Sequence, residues 1–157
     1  MKARIRFTTA CLGSVKTDTA GKWPIFMLPR GADGSVRFEQ LWWRAGLRFA
    51  AQLMSRHQDV VNKVLADAKV HSDRNVESYY RRKLSEDRYI KHECFPAGMT
   101  VEIRFAVPSE IPNEEFKQLL NKMGQFRGIT PFGPKEYGHF VVEELGPCED
   151  GNASEDP

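Results

Sequence analysis

Three cysteines, four histidines and the lack of any long apolar run set the first limits on this 157-residue chain. Cys11, Cys94 and Cys148 are odd in number and widely spaced, with no Cys-x-x-Cys among them. The sequence therefore encodes neither a disulfide framework nor a zinc ribbon, and the three read as reduced thiols. No stretch approaches the roughly 20 apolar residues of a membrane span, and the segment Met1 to Arg6 alternates charge with apolar residues where a secretory signal would build a hydrophobic block. Both features point to a cytoplasmic protein with no membrane partner. A Walker loop, a paired-carboxylate motif and Gly-x-Ser-x-Gly are all missing, which argues against a nucleotide hydrolase or an ordinary acyl-transfer enzyme. Asp67, Asp73 and Asp87 are spaced like surface charges, and no metal or cofactor is expected.

Basic residues are missing from one end. From Glu143 onward there are six of the 21 acids (Glu143, Glu144, Glu149, Asp150, Glu155, Asp156) and no base, so residues 1–142 hold all 23 bases against fifteen acids, a formal +8. A basic body suits a polyanionic partner, because phosphate contacts gain affinity by releasing counterions; scattered surface charge is the plainer account. Residues 146–157 are acidic with almost nothing apolar, and are expected to be a disordered tail. With 41% hydrophobic and 11% aromatic content, residues 1–145 are long enough for one well-cored domain.

What is present has strand and helix periods. Lys2 to Leu12 alternates Ala3, Ile5 and Phe7 with Lys2, Arg4 and Arg6, a half-buried strand with a basic face. Trp23 to Pro29 is an apolar piece with proline near each end, expected as an edge strand. Ser35 is the expected N-cap of a helix running to about Ser55, with Phe38, Leu41, Trp42, Ala45, Phe49 and Leu53 on its core side and Arg37, Arg44 and Arg48 opposite. That arginine stripe is either a solvated face or a binding surface. A second helix is expected over Asp59 to Lys69, with Val60, Val61, Val64, Leu65 and Ala68 on one side. Thr100 to Val107 alternates as a strand, Pro108 to Pro112 breaks it, and Asn113 is expected to cap a helix with Phe116, Leu119, Leu120 and Met123 on one face, stopped by Gly124. His139 to Leu145 supplies a last strand. Strand, helix, loop, strand is half of a ferredoxin-like unit, and the N-terminal strand with its following helix supplies the other half. The expected fold is α+β: a ferredoxin-like (RRM-like) antiparallel sheet with helices packed on one face.

Two segments carry candidate chemistry. Arg74 to His92 mixes Tyr79, Tyr80 and Tyr89 with Arg81, Arg82, Lys83 and Arg88, and single-stranded nucleic acid uses this combination: bases stack on tyrosine rings while cations hold the phosphates between them. Glu77, Glu86 and Asp87 lie among them, so a salt-bridged surface helix or hairpin explains the same residues. Gly128 to Gly138 places three glycines and two prolines in one loop whose amides can approach a ligand; it also reads as a long connection.

The segment Gly128-Ile-Thr-Pro-Phe-Gly-Pro-Lys-Glu-Tyr-Gly138-His-Phe-Val-Val resembles the C-terminal glycine-rich loop of the repeat-associated RNA-binding (RAMP) superfamily of CRISPR antiviral defence. Gly34-Ser-Val-Arg-Phe-Glu-Gln-Leu-Trp-Trp-Arg-Ala-Gly-Leu-Arg48 is similar to the Gly-Ser-x-Arg approach to the first helix in the same proteins. The resemblance implies a ferredoxin-like fold that holds CRISPR RNA, as a backbone subunit or a processing nuclease. Residue by residue, it extends to Gly128, Gly138, Ser35 and Arg37 as backbone or phosphate contacts.

Three functions follow as expectations. The first is a non-catalytic protein binding RNA or single-stranded DNA within a larger complex, using Arg37, Arg44, Arg48, Tyr79, Tyr80, Arg81, Arg82, Lys83, Arg88, Tyr89, Gly128 and Gly138. The second is a metal-independent RNA endonuclease with His92 as general acid or base beside Tyr89 and Lys91, ahead of His57, His71 and His139. The third is a protein-interaction module, such as a phage or mobile-element inhibitor or adaptor. His92 and Cys94 would share a strand face, yet two ligands alone do not make a metal site.

Overall fold

Alternation in the first strand separates a dry side from a charged one. Ala3, Ile5 and Phe7 of β1 (Lys2–Phe7) are at most 1% exposed, and Lys2, Arg4 and Arg6 stand on the opposite side. The computed structural model describes residues 1–17, 24–56, 58–67, 69–72, 78–129 and 136–148, and of Leu84 the backbone alone. On one side of β1 lies β8 (Thr100–Ala106), antiparallel, with Ala3 opposite Ile103 and Ile5 opposite Val101. On the other side lies β9 (Phe140–Gly146), also antiparallel and bulged between Arg4 and Ile5. The short β5 (Leu65–Ala66) closes the far side of β8. Helix α1 (Gln40–Leu53) falls in the chain between β1 and β5, and α3 (Asn113–Phe126) between β8 and β9. The order β5-β8-β1-β9 with these two crossovers is the ferredoxin-like arrangement, an α+β fold in which sequential strands flank a central pair. The core lies between sheet and helices, where Trp43 meets Phe105 edge-on at 5.1 Å and Phe105 meets Phe116 at 5.2 Å.

Local chemistry overrides the sequence expectation at several points. Ser35 does not cap α1. Its amide and hydroxyl both donate to the Asp33 carboxylate, at 3.0 and 2.6 Å, around Gly34 at φ +83°, a turn that competes with helix. Val36 and Arg37 instead form extended bridges with Arg30 and Lys69, and Glu39 takes the N-cap position with no side-chain bond. The buried side of α1 is Trp43, Gly46, Leu47, Ala50 and Ala51, while Leu41 and Leu53, expected inside, are exposed. A helix over Asp59 to Lys69 is replaced by the single turn α2 (Gln58–Val61) and then β5, because the free edge of β8 offers partners to the Leu65 and Ala66 backbone. Asn113 is the first helical residue of α3 and Pro112 holds the N-cap position. Gly124 lies inside α3, buried against β9; the helix runs on to Phe126, and Gly128 at φ +80° follows it.

A second sheet is built from the two insertions. β2 (Cys11–Leu12), β3 (Val15–Thr17) and β4 (Ile25–Met27) precede α1, and the hairpin β6 (Ser78–Ser85) and β7 (Arg88–Phe95) follows β5. β7 is the hub: β6 lies along one edge, and β2 (antiparallel) and β4 (parallel) share the other. β4 therefore has β7 and β3 on its two sides and is no edge strand, contrary to expectation. Phe95 joins the two sheets, stacking on Phe7 at 5.7 Å and meeting Phe38 edge-on at 6.0 Å. No described helix is long and apolar enough to cross a membrane. Residues 149–157, most of the expected acidic tail, lie outside the described residues.

Two glycines at the helix layer respond differently to a methyl group. A Cβ at Gly124 would run into the carbonyl oxygen and ring of Phe140, held by strand pairing, whereas one at Gly46 has the flexible side chain of Met123 as its nearest neighbour. Helix propensity favours alanine by about 1 kcal/mol at either position, and overpacking against rigid neighbours costs about 1–3 kcal/mol. Gly124→Ala is therefore expected to lower the urea midpoint and Gly46→Ala to leave it near wild type, both with unchanged m-value.

Candidate nucleic-acid interface

Antiparallel pairing sorts the basic aromatic tract onto two faces. Opposed residues share a face, and β6 and β7 pair Tyr79 with Glu93, Arg81 with Lys91 and Lys83 with Tyr89. The intervening pairs, Tyr80 with His92 and Arg82 with Ile90, fall on the other side. The first set is the outer face. There the Arg81 guanidinium lies over the Tyr89 ring at 4.9 Å from its centroid, and the Lys91 ammonium over the Tyr79 ring at 4.6 Å. A recess of about 270 Å³ is lined by these four side chains. Tyr79 is 48% exposed, and Arg81, Lys83 and Lys91 are exposed as well.

The inner end of this face is anchored by a buried ion pair. Glu93 is 2% exposed; Arg30 grips both its carboxylate oxygens at 2.6 Å, and the Leu28 amide donates to one of them at 2.8 Å. The bond to Glu93 raises the Arg30 pKa further. Lys91 and Arg30 stand at this face although sequence reasoning singled out neither as a nucleic-acid contact. The repeat of Tyr-x-cation, Tyr79-Tyr-Arg81 and Tyr89-Ile-Lys91, is the signal that would have found Lys91.

The opposite face holds a core histidine. His92 is fully buried, stacks on Phe26 at 5.3 Å, and has Nδ1 2.7 Å from the Gly13 carbonyl, while Arg82 Nε donates to Nε2 at 3.4 Å. With Nε2 accepting, the ring proton resides on Nδ1 and is given to Gly13. Burial lowers the His92 pKa, the Gly13 carbonyl opposes, and the Arg82 charge adds to the lowering. This neutral, enclosed imidazole is not offered to a substrate phosphate. Cys94 does share its face, with its thiol pushed up to about 11 by burial. Among the described residues no three His, Cys, Asp or Glu side chains are placed to hold a metal ion.

The two loop glycines close a neck. Gly138 has φ +76°; its carbonyl accepts from Ile129 and its amide donates to Ala10, both at 2.8 Å, while the Gly128 amide donates to Met123 at 2.7 Å. A Cβ on either glycine would strike facing backbone. Both amides are thus engaged inside the protein. Residues 130–135, the middle of the loop, lie outside the described residues. Tyr80 meets Tyr137 beside this neck, rings 5.6 Å apart, and the bond that the Tyr137 hydroxyl makes to Tyr80 holds its proton and raises its pKa.

The remaining expected contacts lie elsewhere. Arg44 and Arg48 project from the outer side of α1, where Arg48 donates to Gln58. Arg37 sits in its bridge near Asp33, and Arg88 is exposed at the hairpin turn. Of the other histidines, His139 has Nδ1 2.9 Å from the Gln125 carbonyl, His71 is bridged to Glu102, and His57 is outside the described residues. The open face of the ferredoxin-like sheet, where RRM domains stack bases, carries Lys2, Arg4, Arg6 and Arg104 but no aromatic among the described residues of its strands.

No protein-family model and no curated protein matches the chain. Among solved structures it is similar to Thermus thermophilus Cas6, with 15% identity, a TM-score of 0.38, and coverage of 90% of this chain and 52% of that one. The chain spans about half the length of that structure. The ferredoxin-like assignment itself stands on the strand order and crossovers.

The depressed His92 pKa makes a signed statement about stability. Between its folded pKa and the ordinary value of 6.5, the unfolded chain binds more protons than the folded one, so stability rises with pH across that window and is lost as pH falls. Urea unfolding should give a lower midpoint at pH 5 than at pH 7.5. In His92→Gln the difference between the two midpoints should shrink, with the neutral-pH stability itself reduced.

Proposed function

We propose that this chain binds single-stranded nucleic acid, RNA foremost, without chemistry and as one subunit of a larger cytoplasmic assembly. The outer face of the β6–β7 hairpin is the contact surface. The observation that carries this reading is the juxtaposition of Tyr79, Arg81, Tyr89 and Lys91 on one exposed face, each ring paired with one cation. Stacking on tyrosine is tolerant of base identity, and the cations answer the phosphates. Support also comes from the formal +8 of residues 1–142. The choice of RNA, and of a CRISPR-type role, rests on the resemblance of residues 34–48 and 128–142 to the RAMP superfamily. The buried, neutral state of His92 favours binding over cleavage.

Labelled single-stranded RNA, single-stranded DNA and duplex DNA, titrated at two salt concentrations and then run on a denaturing gel, test the proposal. Salt-sensitive binding to single strands with an intact probe is expected. Tyr79→Ala and Tyr89→Ala should each weaken it by about 1–3 kcal/mol, or roughly 5- to 150-fold. Arg81→Ala and Lys91→Ala should each reduce the slope of log affinity against log salt by about 0.7. Lys63→Ala, which removes only a surface pair with Glu110, should leave affinity unchanged. Unaltered affinity in a Tyr79→Ala, Arg81→Ala double variant would defeat the reading, and binding that is absent at low salt would favour a protein partner.

A further inference from the structure

The outer face of the hairpin has an approximate two-fold arrangement. Arg81 and Lys91 are directly opposed at its centre, and one tyrosine lies two residues before each of them on its own strand, Tyr79 on β6 and Tyr89 on β7. Because the strands are antiparallel, the two rings fall at opposite ends of the array, each reached by the cation of the other strand. The spacing follows from strand geometry. Tyr89 is opposite Lys83, four residues along β6 from Tyr79, so at about 3.4 Å per residue and 4.8 Å between strands the Cα atoms of the two tyrosines stand about 14 Å apart.

Nucleic acid has its own period. Stacked bases are about 3.4 Å apart, and a strand opened so that a ring can lie against each base roughly doubles this to about 7 Å. Two such steps match the separation of the tyrosines. We infer that the hairpin face measures base spacing: Tyr79 and Tyr89 take bases n and n+2 of a single strand, base n+1 is skipped, and Arg81 and Lys91 hold the phosphates on either side of it. The cation pair at the centre is suited to this, because two adjacent phosphates flank the skipped nucleotide while no ring faces its base. This inference rests on the reading of the hairpin as a single-strand site and adds to it a register.

The test uses RNA nonamers that are abasic at every position except two uracils, with zero, one, two or three abasic nucleotides between them, and a fully abasic nonamer as baseline. Affinities are measured by fluorescence anisotropy at low salt. One intervening abasic nucleotide should bind tightest, on the order of tenfold above adjacent uracils or three intervening positions. Tyr79→Ala or Tyr89→Ala should flatten the series, and Tyr79→Phe, which keeps the ring, should retain the maximum. Tyr79 is exposed, so its truncation leaves the core intact. A flat series, or a maximum at another spacing, in a protein that still binds an all-uracil nonamer would overturn the inference and leave single-strand binding standing. Failure to bind the all-uracil nonamer would overturn both.

Discussion

A carboxylate buried at Glu93 constrains everything around it. An ionised group removed from water must find donors, and here they come from one chain segment far away in sequence: the Arg30 guanidinium and the Leu28 amide. Removing one partner of a buried ion pair costs about 3–5 kcal/mol, an upper bound in this case because the Arg30 side chain is 32% exposed. The pair does more than stabilise. It fixes which side of β7 carries Glu93, and strand alternation then commits Lys91 and Tyr89 to the same side and His92 and Cys94 to the other. A slip of one residue would bury Lys91 and expose His92. The exposed cation–aromatic array and the enclosed imidazole are thus two outcomes of a single register.

The same strand couples the insertion to the ferredoxin-like unit. β7 runs outward-in from exposed Arg88 to fully buried Phe95, whose ring stacks on Phe7 of the central strand. From there Gly98, at φ +91°, turns the chain and donates to the Phe7 carbonyl at 2.7 Å, delivering it directly into β8. The ferredoxin-like sheet therefore anchors the Phe95 end of the hairpin, while Glu86 and Asp87 at its turn are exposed. Such a scaffold exposes tyrosine rings without placing them on its own open face.

How much of this was legible in the sequence depended on the range of the determining interactions. Strands β1, β8 and β9 and helix α3 were legible because their apolar periods report burial directly. The start of α1 was not, since Ser35 and Asp33 form their bonds with each other, a local competition that the Ser-after-Gly pattern hides. Its buried face was misread because Gly46, Ala50 and Ala51 pack by being small, and a reading ranked by side-chain hydrophobicity prefers Leu41 and Leu53. Val60 to Val64 carried a helical period, yet the edge of β8 decided the outcome, and that edge is remote in sequence. At the candidate site, the tyrosines and arginines of β6 were visible as a tract. Their division between faces was not, because it depends on Arg30 and Glu93 meeting across 63 residues.

Charge sets the outer face of the hairpin apart from the basic strand β1. Arg4 and Arg6 both lie near Glu143, at 3.8 and 2.8 Å, and Glu102 shares their face, so much of the positive field there is offset. Among the described residues of the hairpin's outer face, the acid Glu93 is already neutralised by Arg30, leaving Arg81, Lys83 and Lys91 uncancelled by it. Glu86 and Asp87 occupy the turn. Glu86, in the turn just past β6, is five residues from Arg81, about 17 Å of chain at 3.4 Å per residue, which exceeds the Debye length of about 8 Å at physiological ionic strength. The turn acids therefore weaken Lys83 more than the central Arg81 and Lys91 pair. Arg81 and Lys91 stand opposed between the two tyrosines, so the positive charge of this face is centred between the rings.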